Sequence, residues 1–135
     1  MANAEDVEKL KRRMFQFGLR VVRLTQALPS GRVAGAIGYQ LLRAGTSAGA
    51  NYRAACRARS SADFVSKMGI VEEELDESQY WMEMLIAAGL VKAEKLESLM
   101  CEGEELLRIA VASIRTARHN RRSDMPTRRK KDSNE

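Results

Sequence analysis

Apolar residues recur at steps of three and four along most of the chain. From about Glu5 to Leu28 they are Val7, Leu10, Met14, Phe17, Val21, Leu24 and Leu28. That a/d stripe predicts a helix packed along one seam. Phe15 and Leu19 lie off the stripe and widen the apolar face, as expected of a helix that touches more than one neighbour. Pro29-Ser30-Gly31 ends this helix and turns the chain. A second helix is predicted over about 32–57 on Ile37, Leu41, Ala44, Ala48, Tyr52 and Ala55. It is dense in small residues, among them Gly35, Gly38, Gly45 and Gly49. An interior glycine costs a helix roughly 1 kcal/mol relative to alanine. The run therefore implies close approach of another backbone or a large side chain, or else a helix broken near Thr46–Gly49.

Arg59-Ser60-Ser61 marks the next turn, and Ser60 with Asp63 has capping-box spacing. A third helix is predicted over about 61–88 on Phe64, Met68, Val71, Leu75, Ser78, Met82 and Leu85, closed by Gly89. A fourth is predicted over about 92–118 on Leu96, Leu99, Gly103, Leu106, Ala110 and Ile114. Residues 120–135 lack apolar periodicity and read as a disordered basic tail. Four amphipathic helices joined by tight turns predict an all-α, up-down-up-down antiparallel four-helix bundle.

A length of 135 residues fits one domain with a single core. No apolar run approaches membrane-spanning length, and MANAEDVEKLKRR lacks the apolar segment of a secretory signal. The expected location is the cytoplasm. Cys56 and Cys101 have no CxxC spacing and are expected to be reduced, buried thiols. The net charge of +5 hides a segregation. Residues 1–59 carry eleven Lys/Arg against three Asp/Glu, and residues 60–119 carry six against twelve. Residues 120–135 carry six against three. Such a chain can pair its halves, pair subunits, or offer a basic face to a polyanion.

The acidic run Glu72-Glu73-Glu74-Leu75-Asp76-Glu77 raises the question of metal or acid–base chemistry. Di-iron bundles draw Glu and Glu-x-x-His pairs from facing helices. This chain has one histidine, His119, on the wrong helix, so no metal site is expected. Its GAIG and GTSAG glycines sit inside a helical pattern rather than after a strand, so no phosphate-binding loop is expected. No nucleophile–base constellation stands out, so neither an enzyme activity nor a cofactor is expected.

The segments Gln40–Ala55 (QLLRAGTSAGANYRAA), Ser60-Ser61-Ala62-Asp63-Phe64 with Lys67, and Glu77-Ser78-Gln79-Tyr80-Trp81-Met82 carry a resemblance. In order, spacing and helix position they resemble the four-helix bundle family that includes the intervening-sequence protein encoded within bacterial 23S ribosomal RNA genes. More distantly, the chain is similar to the accessory protein of diversity-generating retroelements. The resemblance implies an up-and-down bundle that assembles as a ring of five subunits around a channel. The distant relative implies binding of nucleic acid and of a protein partner. Ala54 departs from the pattern, since the family usually has Glu after Asn-Tyr-Arg.

Reflecting the second helix onto the third across a turn near residue 59 suggests a polar layer of Arg43, Ser47, Asn51, Lys67, Glu74, Glu77 and Trp81. Gly38 is expected to make room for Trp81. Arg43 is expected against Glu74 with Glu77 one turn on, Ser47 near Val71, and Asn51 bonded to Lys67. An ion pair of structural kind is the expected role of these carboxylates.

The leading functional expectation is a non-catalytic homo-oligomer that binds nucleic acid, structured RNA ahead of DNA. Its expected contacts are Lys11, Arg12, Arg13, Arg20, Arg23, Arg121, Arg122, Arg128, Arg129, Lys130 and Lys131. Such contacts go to phosphates and read little sequence. The sequence shows no aromatic-interleaved motif for base stacking. The second expectation is a scaffold or accessory subunit whose charge-segregated halves serve ring assembly and docking of a protein partner.

Overall fold

A computed structural model describes residues 3–124 and shows four helices. They are α1 (Ala4–Gln26), α2 (Arg32–Cys56), α3 (Ser61–Ala87) and α4 (Ala93–Asp124). Each boundary has a local cause. Asn3 caps α1 by accepting from the Asp6 N–H at 2.8 Å. Gly31, at φ 145°, precedes α2 in a backbone conformation that a side chain would resist. Ser60 caps α3 by accepting from the Asp63 N–H at 3.0 Å. At its far end Gly89 takes φ 74°. There the Gly89 N–H donates to Ile86 O and the Leu90 N–H to Leu85 O, both at 3.0 Å.

Successive helices pack broadly against one another, while α1 and α4 share only a narrow seam. The core is the apolar stripe of every helix: Met14, Phe17 and Val21, then Leu41, Ala48 and Tyr52, then Met68, Val71, Leu75, Met82 and Leu85, then Leu96, Leu106 and Ala110. α2 runs unbroken through Thr46–Gly49, where the Thr46 hydroxyl donates back to Leu42 O at 2.7 Å. Its small residues admit α1. A β-carbon at Gly45 would stand 2.8 Å from both γ-methyls of Val21, and one at Gly49 would stand 3.3 Å from the Met14 backbone. From the other side, a β-carbon at Gly18 would meet Gly45 O at 3.3 Å.

Several expectations need correction. Gly38 makes room for Leu28, whose Cδ1 lies 2.8 Å from where a β-carbon would be. Trp81 instead donates to Glu77 at 3.2 Å and stacks edge-on against Tyr80. Asn51 does not reach Lys67. Its amide donates to Ser47 O and Oγ, both at 2.9 Å, and Lys67 pairs with Asp63 at 2.8 Å. For Trp81, Asn51 and Lys67 a partner one turn away on the same helix is closer than one across the groove. Cys56 is half-buried and Cys101 exposed, because position 101 falls outside the α4 stripe. α4 continues through 120–124, where the tail was expected to begin; no glycine or proline interrupts the chain there before Pro126. The rest of that tail lies outside the described residues.

Candidate nucleic-acid interface

Antiparallel topology gathers distant parts of the sequence at one end of the bundle. The start of α1, the α2–α3 turn and the end of α4 meet there. The turn and the end of α4 bring cations, while the first turn of α1 brings Glu5 and Asp6. The turn contributes Arg53, Arg57 and Arg59, with Lys67 two turns into α3. These four, with Ala50, Ala54 and Asp63, line a hollow of about 380 Å³. α4 contributes Arg115, Arg118, Arg121 and Arg122, all exposed on its final turns. Arg53, Arg57 and Arg59 make no ion pair among the described residues. Asp63 is the sole carboxylate lining the hollow, and Lys67 holds it below its usual range by hydrogen bond and charge.

The α1 cations divide into two groups. Arg13 reaches across the α1–α4 seam to Glu102, with Nη2–Oε1 at 2.5 Å and Nε–Oε2 at 3.3 Å, and to Glu105 at 3.1 Å. The Glu102 carboxylate raises the Arg13 pKa above its ordinary value. Arg20 donates to Ser98 Oγ at 2.9 Å. These two arginines tie α1 to α4 and are a poor source of ligand contacts. Arg12 and Arg23 are exposed and make no ion pair among the described residues. Lys11 pairs with Glu8 at 2.9 Å, a bond that keeps the Glu8 carboxyl below its usual range. Arg128, Arg129, Lys130 and Lys131 lie outside the described residues.

Beside the hollow, a groove of about 530 Å³ runs between α1 and α2. Met14, Phe15, Gly18, Leu19, Val22, Thr46, Gly49 and Ala50 form its walls and floor, and Lys11, Arg12 and Arg53 border it. Phe15 is 67% exposed there, so this part of the widened α1 face is left uncovered within the chain. On the opposite side, α3 and α4 flank an acidic cleft lined by Asp76, Glu83, Glu94, Glu97, Glu104 and Glu105, with Arg108 as its only cation. Gln79 at its base donates to Met100 O at 2.7 Å.

The polar layer between α2 and α3 consists of Arg43, Glu74, Glu77 and Trp81. Arg43 Nη1 lies 3.3 Å from Glu74 Oε2, and Nη2 lies 2.6 Å from Glu77 Oε1. The Arg43 bond, then the Trp81 bond, hold the Glu77 carboxyl below its ordinary range. Both carboxylates are engaged by one guanidinium. Among the described residues no three His, Cys, Asp or Glu side chains are grouped to hold a metal ion, and no helix is long and apolar enough to cross a membrane.

Sequence reasoning overlooked Arg53, Arg57 and Arg59. The i, i+4 spacing of Arg53 and Arg57, ending in a third arginine at the turn, was the available signal.

The family model for the 23S rRNA-intervening sequence protein matches residues 8–112. A crystal structure of a protein of unknown function from the S23 ribosomal protein family of Bacteroides thetaiotaomicron is 33% identical, with a TM-score of 0.76. The match covers 81% of this chain and 97% of that one. No curated protein matches the chain. The helices, their order and these matches together place the chain in the 23S rRNA-intervening sequence protein family.

Proposed function

We propose that the protein is a non-catalytic bundle that binds nucleic acid, structured RNA foremost, through its basic end. The observation that carries this reading is the gathering of Arg53, Arg57, Arg59 and Lys67 around one hollow with a single lining carboxylate, at the end of the bundle where α4 also ends in exposed arginines. Cations so placed lower their mutual repulsion by binding a polyanion and releasing its counterions. The contacts go to phosphates, so they position RNA and read little sequence. Filter binding of a structured RNA at two salt concentrations tests this. Affinity is expected to fall steeply with salt, and Arg57→Glu with Arg59→Glu is expected to weaken it and flatten that fall. No retention at low salt would contradict the reading.

A second reading rests on the acidic α3–α4 cleft opposite the basic α1–α2 side. Opposed charge on two sides of one chain supports association between copies, and the family resemblance implies a ring of five subunits. In this reading the ring is a scaffold that docks a protein partner. Light scattering at micromolar protein tests the assembly, and a monomer would contradict it.

A further inference from the structure

The hollow at the α2–α3 turn and the α1–α2 groove are contiguous: both are lined by Ala50 and Arg53. A cationic surface thus leads without interruption onto an apolar one. The groove's lining includes no carboxylate. Its one aromatic ring, Phe15, is 67% exposed and bordered by Lys11, Arg12 and Arg53. Its floor is low because Gly18, Gly49 and Ala50 carry little or no side chain where α1 and α2 touch. Its volume of about 530 Å³ is that of a small-ligand site.

We propose that this groove takes an unpaired nucleobase, stacked on Phe15, while Arg53 and Arg12 hold the flanking phosphates. The proposal rests on the nucleic-acid reading above and narrows its ligand to RNA with bases free of a duplex, such as a loop, bulge or single-stranded end. The chemistry is that of a stacking platform beside an electrostatic funnel. A base has a flat apolar face and an anionic backbone within a few ångströms of it, and this surface offers a ring and cations in the same arrangement. An apolar partner alone would leave Arg12 and Arg53, which make no ion pair among the described residues, uncompensated. A phosphate-rich duplex would leave Phe15 in water, because A-form RNA turns its bases inward. Stacking tolerates any base, so the groove confers a preference for unpaired RNA rather than for sequence.

The experiment compares two single-stranded probes of equal length and charge, an oligouridylate and an abasic ribose-phosphate oligomer, by fluorescence anisotropy with the full chain. The wild type is expected to bind the base-bearing probe on the order of 10-fold more tightly. Phe15→Ala is expected to abolish that preference with binding of the abasic probe unchanged, and Phe15→Trp to keep it. Arg57→Glu is expected to weaken both probes alike. Phe15 is exposed, so these variants are expected to fold, which circular dichroism checks. Equal wild-type affinity for the two probes, or a preference that survives in Phe15→Ala, would overturn the base slot and leave phosphate binding standing. A change in solution mass in Phe15→Ala would also overturn it, since the groove would then be an interface between copies. Failure of the wild type to bind either probe would instead overturn the nucleic-acid reading on which the slot depends.

Discussion

Val21 of α1 occupies the space that a side chain on Gly45 of α2 would need: both γ-methyls lie 2.8 Å from the position of a β-carbon there. With Gly18 against Gly45 O and Gly49 against the Met14 backbone, this contact brings α1 and α2 together. Loss of helix propensity at these glycines is offset by packing that only a bare backbone permits.

Substitutions at glycine should therefore divide by environment. Gly45→Ala is expected to destabilise by about 1–3 kcal/mol, because a branched, buried Val21 cannot retreat. Gly69→Ala is expected to stabilise by about 1 kcal/mol, because nothing lies within 4 Å of its β-carbon and the residue is helical. Urea unfolding of the two variants checks both signs.

Arg13 should behave as a strut rather than as a ligand contact. Its bonds to Glu102 and Glu105 cross the narrow α1–α4 seam. Both Arg13 and Glu102 are about one-quarter exposed, so solvent screening limits the pair to about 1 kcal/mol. A double-mutant cycle with Arg13→Ala and Glu102→Ala is expected to return a coupling of that size. Arg13→Ala is expected to leave RNA affinity close to that of the wild type.

The Arg43–Glu77 pair sets an acid response. Bonds from Arg43 and Trp81 depress the folded-state pKa of Glu77 below 4.5. Its stabilisation is present above about pH 4.5 and is lost as pH falls through the lower folded value. Arg43→Met should therefore be less stable than the wild type at neutral pH, and the gap should close as pH falls through the lowered Glu77 value. Urea midpoints at neutral and acidic pH measure this.

The two thiols should differ in reactivity. Cys101 is exposed and Cys56 is half-buried beside Tyr52, so an alkylating reagent is expected to label Cys101 first under native conditions. Mass mapping of partial modification reads the order directly.

The fold was legible because each helix writes its buried face as a regular stripe and each turn has its own punctuation: Pro29-Ser30-Gly31, Ser60, Gly89. Reflection across the α2–α3 turn also brought Arg43 to Glu74, since a tight antiparallel hairpin fixes that register. It misjudged Gly38 because reflection considers only one neighbour, and the neighbour there is Leu28. It misjudged Asn51 because Ser47, one turn back, is the nearer acceptor. The basic end was hidden because its cations come from the α2–α3 turn and the end of α4, which lie far apart in sequence. The α1 arginines looked alike as letters, yet Arg13 and Arg20 face α4 while Arg12 and Arg23 do not.

The central claim is that the basic end holds RNA by its phosphates, and the salt dependence of binding tests it most directly. A structured RNA titrated across a salt series should give log Kd linear in log salt concentration, each phosphate contact adding about 0.7–0.9 to the slope. The Arg57→Glu, Arg59→Glu double variant should lower that slope by about two contacts with its fold intact. A slope near zero in the wild type, or one unchanged in the double variant, would contradict the account.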